Sequence, residues 1–397
     1  MKVLCVNAGS SSMKFQAYEM PEEKVLINGY IEKIGAEDCF WTVKVNGQKI
    51  KKSRYLKNHD EAASVIFEEL LDNKIVNSLD EIKGVGHRVL HGGEIYSEST
   101  VITDKVVEDV KNLTKLGPLH HPGNLAGINA VKNALPNVPM VAVFDTAFHQ
   151  TMPKENYLYP VPYEWYQKYS VRKYGFHGTS HKYITEHMKN KLNKENVNLI
   201  ICHIGSGASI ACIKDGKCYD TTMGITPLDG LMMGTRSGSI DPSVLEYVCK
   251  EANMTVEEVT NALNKKSGFL GVAGQADCRD VEALCADGDE QALLAYRMYT
   301  KRAAKYIADY YLELAGNVDA IVFTAGVGEN GPLYREKVLK LLNPIGIYED
   351  KSMNNKVAAY LDIQEAKISS DDSNVDVYVV PTNEEIMIVR DTYNIVK

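Results

Sequence analysis

Asn7-Ala8-Gly9-Ser10-Ser11-Ser12 near the start of the chain and His203-Ile204-Gly205-Ser206-Gly207 near its middle are written in the same grammar. Each follows a short apolar, β-rich run, residues 3–6 in one case and Leu199-Ile200-Ile201-Cys202 in the other. After the first, Phe15 and Ala17 alternate with Lys14 and Gln16; after the second, residues 208–213 run to a turn at Lys214-Asp215-Gly216-Lys217. Alternation with a period of two is the mark of a strand, so the spacing predicts two β-hairpins. They lie about half a chain apart and point to two halves built on one plan. A third glycine turn, Gly326-Val327-Gly328-Glu329-Asn330, follows the apparent strand Ala320-Ile321-Val322-Phe323 and leads into a helical pattern over 333–342. Backbone N–H groups at such a junction can meet a phosphate or ribose.

Further helices are expected at 60–72, 104–115, 125–134, 242–251, 256–263 and 289–314. The tyrosines of the last read as packing rather than as a cofactor site. Strands mixed with helices throughout give an α/β class. A chain of 397 residues fits two or three domains. With 45% apolar and 24% charged residues it reads as folded and globular, and a net charge of −8 without basic runs leaves no footprint for nucleic acid or an anionic membrane. The eight cysteines contain no Cys-x-x-Cys pair, no apolar segment approaches a membrane span, and the N-terminus lacks a signal-peptide pattern. A reducing, cytoplasmic setting is the expectation.

Several segments could carry chemistry. Residues 7–14 gather a glycine, three hydroxyls, an amide and Lys14, the means of cradling a phosphate, although the P-loop spacing is absent. Arg88, in Gly86-His87-Arg88 just after an apparent strand, and Arg236, in Gly234-Thr235-Arg236, are each flanked by glycine. Either could grip a carboxylate or phosphate bidentately, together holding one anion between domains, or form an internal ion pair. His87/His91 and His177/His181 show His-x-x-x-His spacing, but glycines at 92, 93, 175 and 178 argue against helix there and against a zinc hydrolase. His120-His121 and His177 are better candidates than the isolated His59 and His187. Asp145, after Val141-Ala142-Val143-Phe144, and Glu384, after residues 377–380, sit at strand ends where Mg²⁺ carboxylates belong; a helix cap is the alternative for each.

These segments, together with Phe144-Asp145-Thr146-Ala147-Phe148-His149, Gly175-Phe176-His177-Gly178-Thr179-Ser180-His181 and Thr382-Asn383-Glu384-Glu385, resemble the acetokinase family in order and over essentially the whole chain. The resemblance implies two duplicated actin-like (ribonuclease H-like) α/β domains with a nucleotide cleft between them. Residues 1–149 plus 381–397 would form the acyl- and phosphate-binding domain, closed by the C-terminal helix, and 150–380 the nucleotide-binding domain.

The reaction implied is reversible Mg²⁺-dependent phosphoryl transfer from ATP to acetate, giving acetyl phosphate and ADP by in-line attack of the carboxylate. Mn²⁺ is an expected substitute for Mg²⁺, and a homodimer the expected assembly. The alternatives are a propionate or butyrate kinase, or an actin-like nucleotide-binding protein without transfer. By the same resemblance Asn7 and Glu384 hold the metal, and Ser10, Ser12 and Lys14 line the phosphate path. Arg88 orients the acyl substrate, and Arg236 and His177 neutralise the phosphoryl group. Asp145, for which the family assigns proton transfer, reads better as a metal- and water-ordering carboxylate. His203, Ile204, Gly205, Ser206, Gly207, Asp277, Cys278, Arg279, Gly326, Val327, Gly328, Glu329 and Asn330 contact the nucleotide. Leu90, Leu119, Phe176 and Pro227 surround the acyl methyl. Two departures stand out: Ser206 replaces the family's usual Asn, and Leu90 its usual Val, which should shrink the pocket in favour of acetate over propionate.

Overall fold

Alternation in the first 32 residues settles which side of the first sheet faces the core. Leu4, Val6 and Ala8 point inward with Met13, Phe15 and Ala17, and with Ile27 and Ile31. They pack under two helices, His59–Asp72 and His121–Ala134, whose Ala62, Ala63, Val65, Ile66, Ala130 and Val131 complete the core. The computed structural model describes residues 1–118 and 120–397, and the chain divides into two compact units, Met1–Gln150 with Asn383–Lys397, and Thr151–Thr382. Leu119 lies outside the described residues.

The first unit holds β1 (Lys2–Ala8), β2 (Ser12–Glu19), β3 (Lys24–Glu32), β4 (Phe40–Val45), β5 (Gln48–Ser53), β6 (Ile82–Val89), β7 (Thr100–Val101) and β8 (Met140–Phe144), ordered β5-β4-β3-β2-β1-β6-β8-β7. The second holds β9 (Leu199–Ile204), β10 (Ala208–Lys214), β11 (Lys217–Thr221), β12 (Ala320–Thr324), β13 (Ala366–Lys367) and β14 (Asp376–Val379), ordered β11-β10-β9-β12-β14-β13. The first strand of each sheet pairs antiparallel with the second, and the third pairs antiparallel with the second in turn. On its other side each first strand pairs parallel, β1 with β6 and then β8, β9 with β12 and then β14. The strand plan is therefore repeated, as the two glycine-serine turns imply, and the molecule has the α/β duplicated architecture of the actin-like class. The strands β8, β9 and β12 are buried along their whole length, which is why they read as unbroken apolar runs.

The last helix, Glu384–Val396, returns to the first unit and packs on β6, β1 and β8. Two glycines in β6 admit it. A Cβ at Gly86 would sit 2.3 Å from Thr392 Oγ1 and 2.6 Å from Ile388 Cγ2. All eight cysteines are free thiols, five of them buried. Among the described residues no helix is long and apolar enough to cross a membrane. Tyr296, Tyr299 and Tyr310 of the long helix Glu290–Glu313 are buried, with Phe269 and Tyr334 packed against the first two.

Four local expectations are corrected. His203 and Ile204 belong to β9 rather than to the turn, because the β9–β10 ladder continues to the Ile204–Ala208 pair. Residues 325–330 are one helical turn, started where Ala325 adopts a positive φ of 64° and closed by Ala325 N–H donating to Glu329 Oε1. Gly86, His87 and Arg88 lie within β6, not after it. Gly178 opens the helix Gly178–Leu192, with His177 as its cap at φ 56°. Glycine is costly in a helix interior but mild in the first turn, where the N–H groups have no intrahelical partner.

Gly86→Ala should force the terminal helix off β6. Denaturant unfolding should show a loss of about 1–3 kcal/mol; an unchanged midpoint would mean the contact is looser than these distances indicate.

Candidate functional site

In the first unit three parallel strands end side by side. Asn7 stands at the end of β1, Arg88 at the end of β6, and Asp145 follows β8. Arg88 Nε donates to Asp145 Oδ1 at 3.0 Å and Nη2 to Oδ2 at 2.5 Å, a bidentate pair; Nη1 reaches Asn7 Oδ1 at 3.4 Å. The internal ion pair that the sequence left open for Arg88 is thus formed, with Asp145 2% exposed. Burial alone would weaken the guanidinium, but Asp145, Glu384 and Glu385 together hold it firmly charged.

Glu384 is the first residue of the terminal helix, whose cap is Asn383. Burial, with Asp145 and Glu385 nearby, pushes its carboxyl up to about 7 against the opposing pull of Arg88 and Lys14. Lys14 is exposed on β2, opposite Asn7 in the register. In the turn before it, the hydroxyls of Ser10, Ser11 and Ser12 donate to no described residue.

Three residues that the sequence reading passed over shape this cluster. Gly123, in the first turn of its helix, lies against the turn so closely that a Cβ would stand 2.6 Å from Gly9 carbonyl carbon. His59 Nε2 is 2.8 Å from Gly9 O. Asn124 donates to Ala8 O at 2.8 Å and accepts from Leu90 N–H at 3.1 Å, tying the turn to the segment carrying Leu90. Of the run His120-His121-Pro122, His121 is buried with Nδ1 3.0 Å from Val110 O. Burial likewise depresses His87 to about 3, leaving it neutral inside β6.

The second unit assembles segments far apart in sequence. The β9–β10 turn is closed by Gly205 N–H donating to Gly207 O at 3.0 Å. A Cβ on Gly207 would lie 3.1 Å from His177 Nε2 and 3.6 Å from Arg236 Nη1, and one on Gly326 3.9 Å from Gly205 Cα. His177 stacks on His203 with ring centroids 4.1 Å apart. His177 Nδ1 and His181 Nε2 are each 2.9 Å from Ser209 Oγ; His203 Nδ1 is 2.8 Å from Ser180 Oγ, itself 2.8 Å from Thr382 Oγ1. Glu329 Oε1 accepts from Ala325 and Thr382 N–H groups, and Asn330 Oδ1 from Ala359 N–H. Ser180 and Ser209 carry no signal of their own in the sequence; only the pairing of distant segments makes them structural keys.

Arg236 is half-buried, its Nη1 donating to Pro227 O at 3.1 Å and lying 3.5 Å from Met233 Sδ. Burial lowers its basicity, and among the described residues no carboxylate pairs with it. Ser206 and Gly326 are exposed beside it in the same cluster of turns, with Val327 and Gly328 in the helical turn behind. Asp277 caps the helix Cys278–Ala286 and forms a close pair with the exposed Arg279, which holds its carboxyl down at about 2. Leu90 lies in the first unit, while Phe176 and Pro227 lie in the second.

Comparison with known proteins gives a consistent result. Residues 2–390 match the model of the Acetokinase family. An acetate kinase of Bacillus cytotoxicus is 51% identical over 393 residues, 98% of either chain. Among solved structures, the acetate kinase of Porphyromonas gingivalis superimposes with a TM-score of 0.93 at 43% identity, covering 100% of both chains. A propionate kinase of Francisella tularensis does so with a TM-score of 0.93 at 40% identity, covering 99% of both.

Asp145→Ala would leave the Arg88 guanidinium largely covered and without its bidentate partner. Urea unfolding should then register a loss of about 3 kcal/mol, the scale for breaking a buried pair from one side. A loss below about 1 kcal/mol would show that Asp145 does not anchor Arg88.

Proposed function

The chain belongs to the acetokinase family, and from that premise we propose how its side chains move a phosphoryl group between ATP and acetate. The observation that supports this reading most is Arg236: a half-buried cation with no carboxylate partner among the described residues, held beside a glycine turn and an imidazole. An uncompensated charge of that kind is costly unless an anion completes it.

Acetate is ionised at neutral pH, so its oxygen attacks the γ-phosphorus without giving up a proton, and no general base is required. Asp145 fits this economy, because both its oxygens already accept from Arg88. In place of the metal- and water-ordering role expected from the sequence, we read it as the residue that orients the guanidinium, leaving the remaining N–H groups of Arg88 for the acyl carboxylate. The obstacle is electrostatic: one anion must approach another. Arg88, Lys14, Arg236 and His177 supply positive or donor groups where charge spreads in the transition state. Ser10 and Ser12 line the phosphate path, and residues 203–207, 277–279 and 326–330 contact the nucleotide.

The acidic first-unit cluster suits a hard divalent cation. Asn7 and Glu384 offer oxygen donors, and the carboxyl of Glu384 is raised first by its burial and then by Asp145 and Glu385 beside it. Among the described residues no three His, Cys, Asp or Glu side chains are arranged to enclose a metal; a Mg²⁺ here would take the rest of its shell from phosphate oxygens and water. Bound Mg²⁺ supplies neutralisation of the polyphosphate; Mn²⁺ shares its preference for oxygen. A homodimer in the cytoplasm belongs to the same reading, with light scattering as its check.

A propionate kinase is the second reading, favoured by the likeness to the solved propionate kinase. Leu90, buried and larger than valine, argues for acetate. Trapping the acyl phosphate with hydroxylamine should give hydroxamate with acetate, ATP and Mg²⁺, and much less with propionate or butyrate; equal yields from propionate would reverse the assignment. Leu90→Val should shift kcat/KM toward propionate by roughly tenfold, about 1–3 kcal/mol being the worth of one methylene. Arg236→Ala should lower kcat by roughly 10²–10³-fold with KM for ATP changed only a few-fold. Equal losses in kcat and ATP binding would place Arg236 in ground-state binding instead.

A further inference from the structure

Beside the Asn7 end of β1, on the sheet face turned away from the core, a cavity of about 300 Å³ is lined by Cys5, Asn7, Lys14, Gln16, Asn28, Tyr30 and Glu385, with the Phe15–Gly29 pair between the rows. The register explains how they meet. Asn7 pairs with Lys14 and Lys14 with Tyr30, making one cross-strand row over β1, β2 and β3; Cys5, Gln16 and Asn28 make the next row, two residues away. Period-two alternation therefore sets these side chains on one face as a grid, and Glu385, in the first turn of the terminal helix, closes it.

The grid has unused hydrogen-bonding capacity. Lys14 Nζ lies 5.2 Å from the Tyr30 ring centre and forms no ion pair with any described residue. Gln16 accepts through Oε1 from Tyr18 O–H at 2.6 Å, which points its amide N–H₂ elsewhere. The Asn28 amide, Tyr30 hydroxyl and Glu385 carboxylate make no side-chain hydrogen bond among the described residues. Donors thus outnumber acceptors, with one cation among them and a single carboxylate at the edge. Such a set fits an anion that also carries a proton to give.

We propose that this cavity is a binding site for a hydrogen-phosphate group, inorganic phosphate being the smallest molecule that presents one. Lys14, the amides of Gln16 and Asn28 and the Tyr30 hydroxyl hold its anionic oxygens, and its P–O–H donates to Glu385. A fully ionised acid such as sulfate has the charge and shape but no proton for that carboxylate, and sites built around such a bond reject analogues that lack it. Of the lining residues, Gln16, Asn28 and Tyr30 have no part in the transfer described above, so the site can be altered separately through them, whereas Asn7 and Lys14 are shared with it and Glu385 helps to hold Arg88 charged.

Isothermal titration of the whole protein with inorganic phosphate, glycerol 2-phosphate and sulfate, at matched ionic strength, tests this. Saturable binding of phosphate or the monoester, absent for sulfate, is expected; the tighter of the two identifies the source of the group. The double variant Gln16→Leu/Asn28→Leu should weaken that binding by at least about tenfold, the worth of one hydrogen bond to a charged group, while hydroxamate formation is retained. Tyr30→Phe, which keeps the ring under Lys14, should weaken it by a smaller factor and guards against misfolding of the double variant. Equal affinity for sulfate, or phosphate affinity unchanged in both variants, would overturn the proposal and leave any bound phosphate to the transfer site.

Discussion

Parallel pairing of β1 with β6 and of β6 with β8 is the constraint on which the first cluster rests. Parallel strands in register deliver their C-terminal ends to one edge of the sheet, so residues 7, 88 and 145 become neighbours although more than fifty residues separate each from the next. Without that register the Arg88–Asp145 pair cannot form, and without the pair the guanidinium is a buried charge of no fixed direction. The second sheet repeats the device: β9, β12 and β14 end beside one another, so that Glu329 ties the helical turn at 325–330 to Thr382 by hydrogen bonds and the Gly205 turn packs close to Gly326.

The two clusters differ in how their charge is balanced. In the first unit three carboxylates, Asp145, Glu384 and Glu385, stand beside two cations, Arg88 and Lys14, and the raised carboxyl of Glu384 owes most to burial, with its acidic neighbours adding to it against the pull of both cations. In the second unit the sign is reversed, since Arg236 is covered by backbone, a thioether and glycine turns but has no carboxylate among the described residues. A hard cation suits the first imbalance and a phosphate the second, and a reaction that joins a carboxylate to a phosphoryl group needs both.

Much of this was legible in the residues. Alternation around Phe15 and Ala17, and the unbroken apolar run at 199–202, located the hairpins because a strand with one face buried must alternate, and one with both faces buried cannot. Where local rules competed, the residues misled. The glycines at 175 and 178 argued against a helix that begins at Gly178, and those at 326 and 328 suggested an open turn where Ala325, at a positive φ, instead starts a helical one. Glycine weakens a helix only on average, and the surrounding contacts decide whether the chain tolerates it.

The sequence by itself determined the duplicated strand plan, the inward and outward faces of each strand, and which residue types cluster near its glycine turns, because periodicity and backbone freedom are local properties. Only the tertiary structure decided which charges meet. That Arg88 is claimed by Asp145 while Arg236 meets no carboxylate among the described residues, that His59, Asn124, Ser180 and Ser209 brace the turns, and that Lys14 shares a grid with Gln16 and Asn28 all follow from strand register and helix packing. Coulombic and hydrogen-bond energies depend on separations of a few ångströms, and those are set by contacts between segments that the linear order keeps apart.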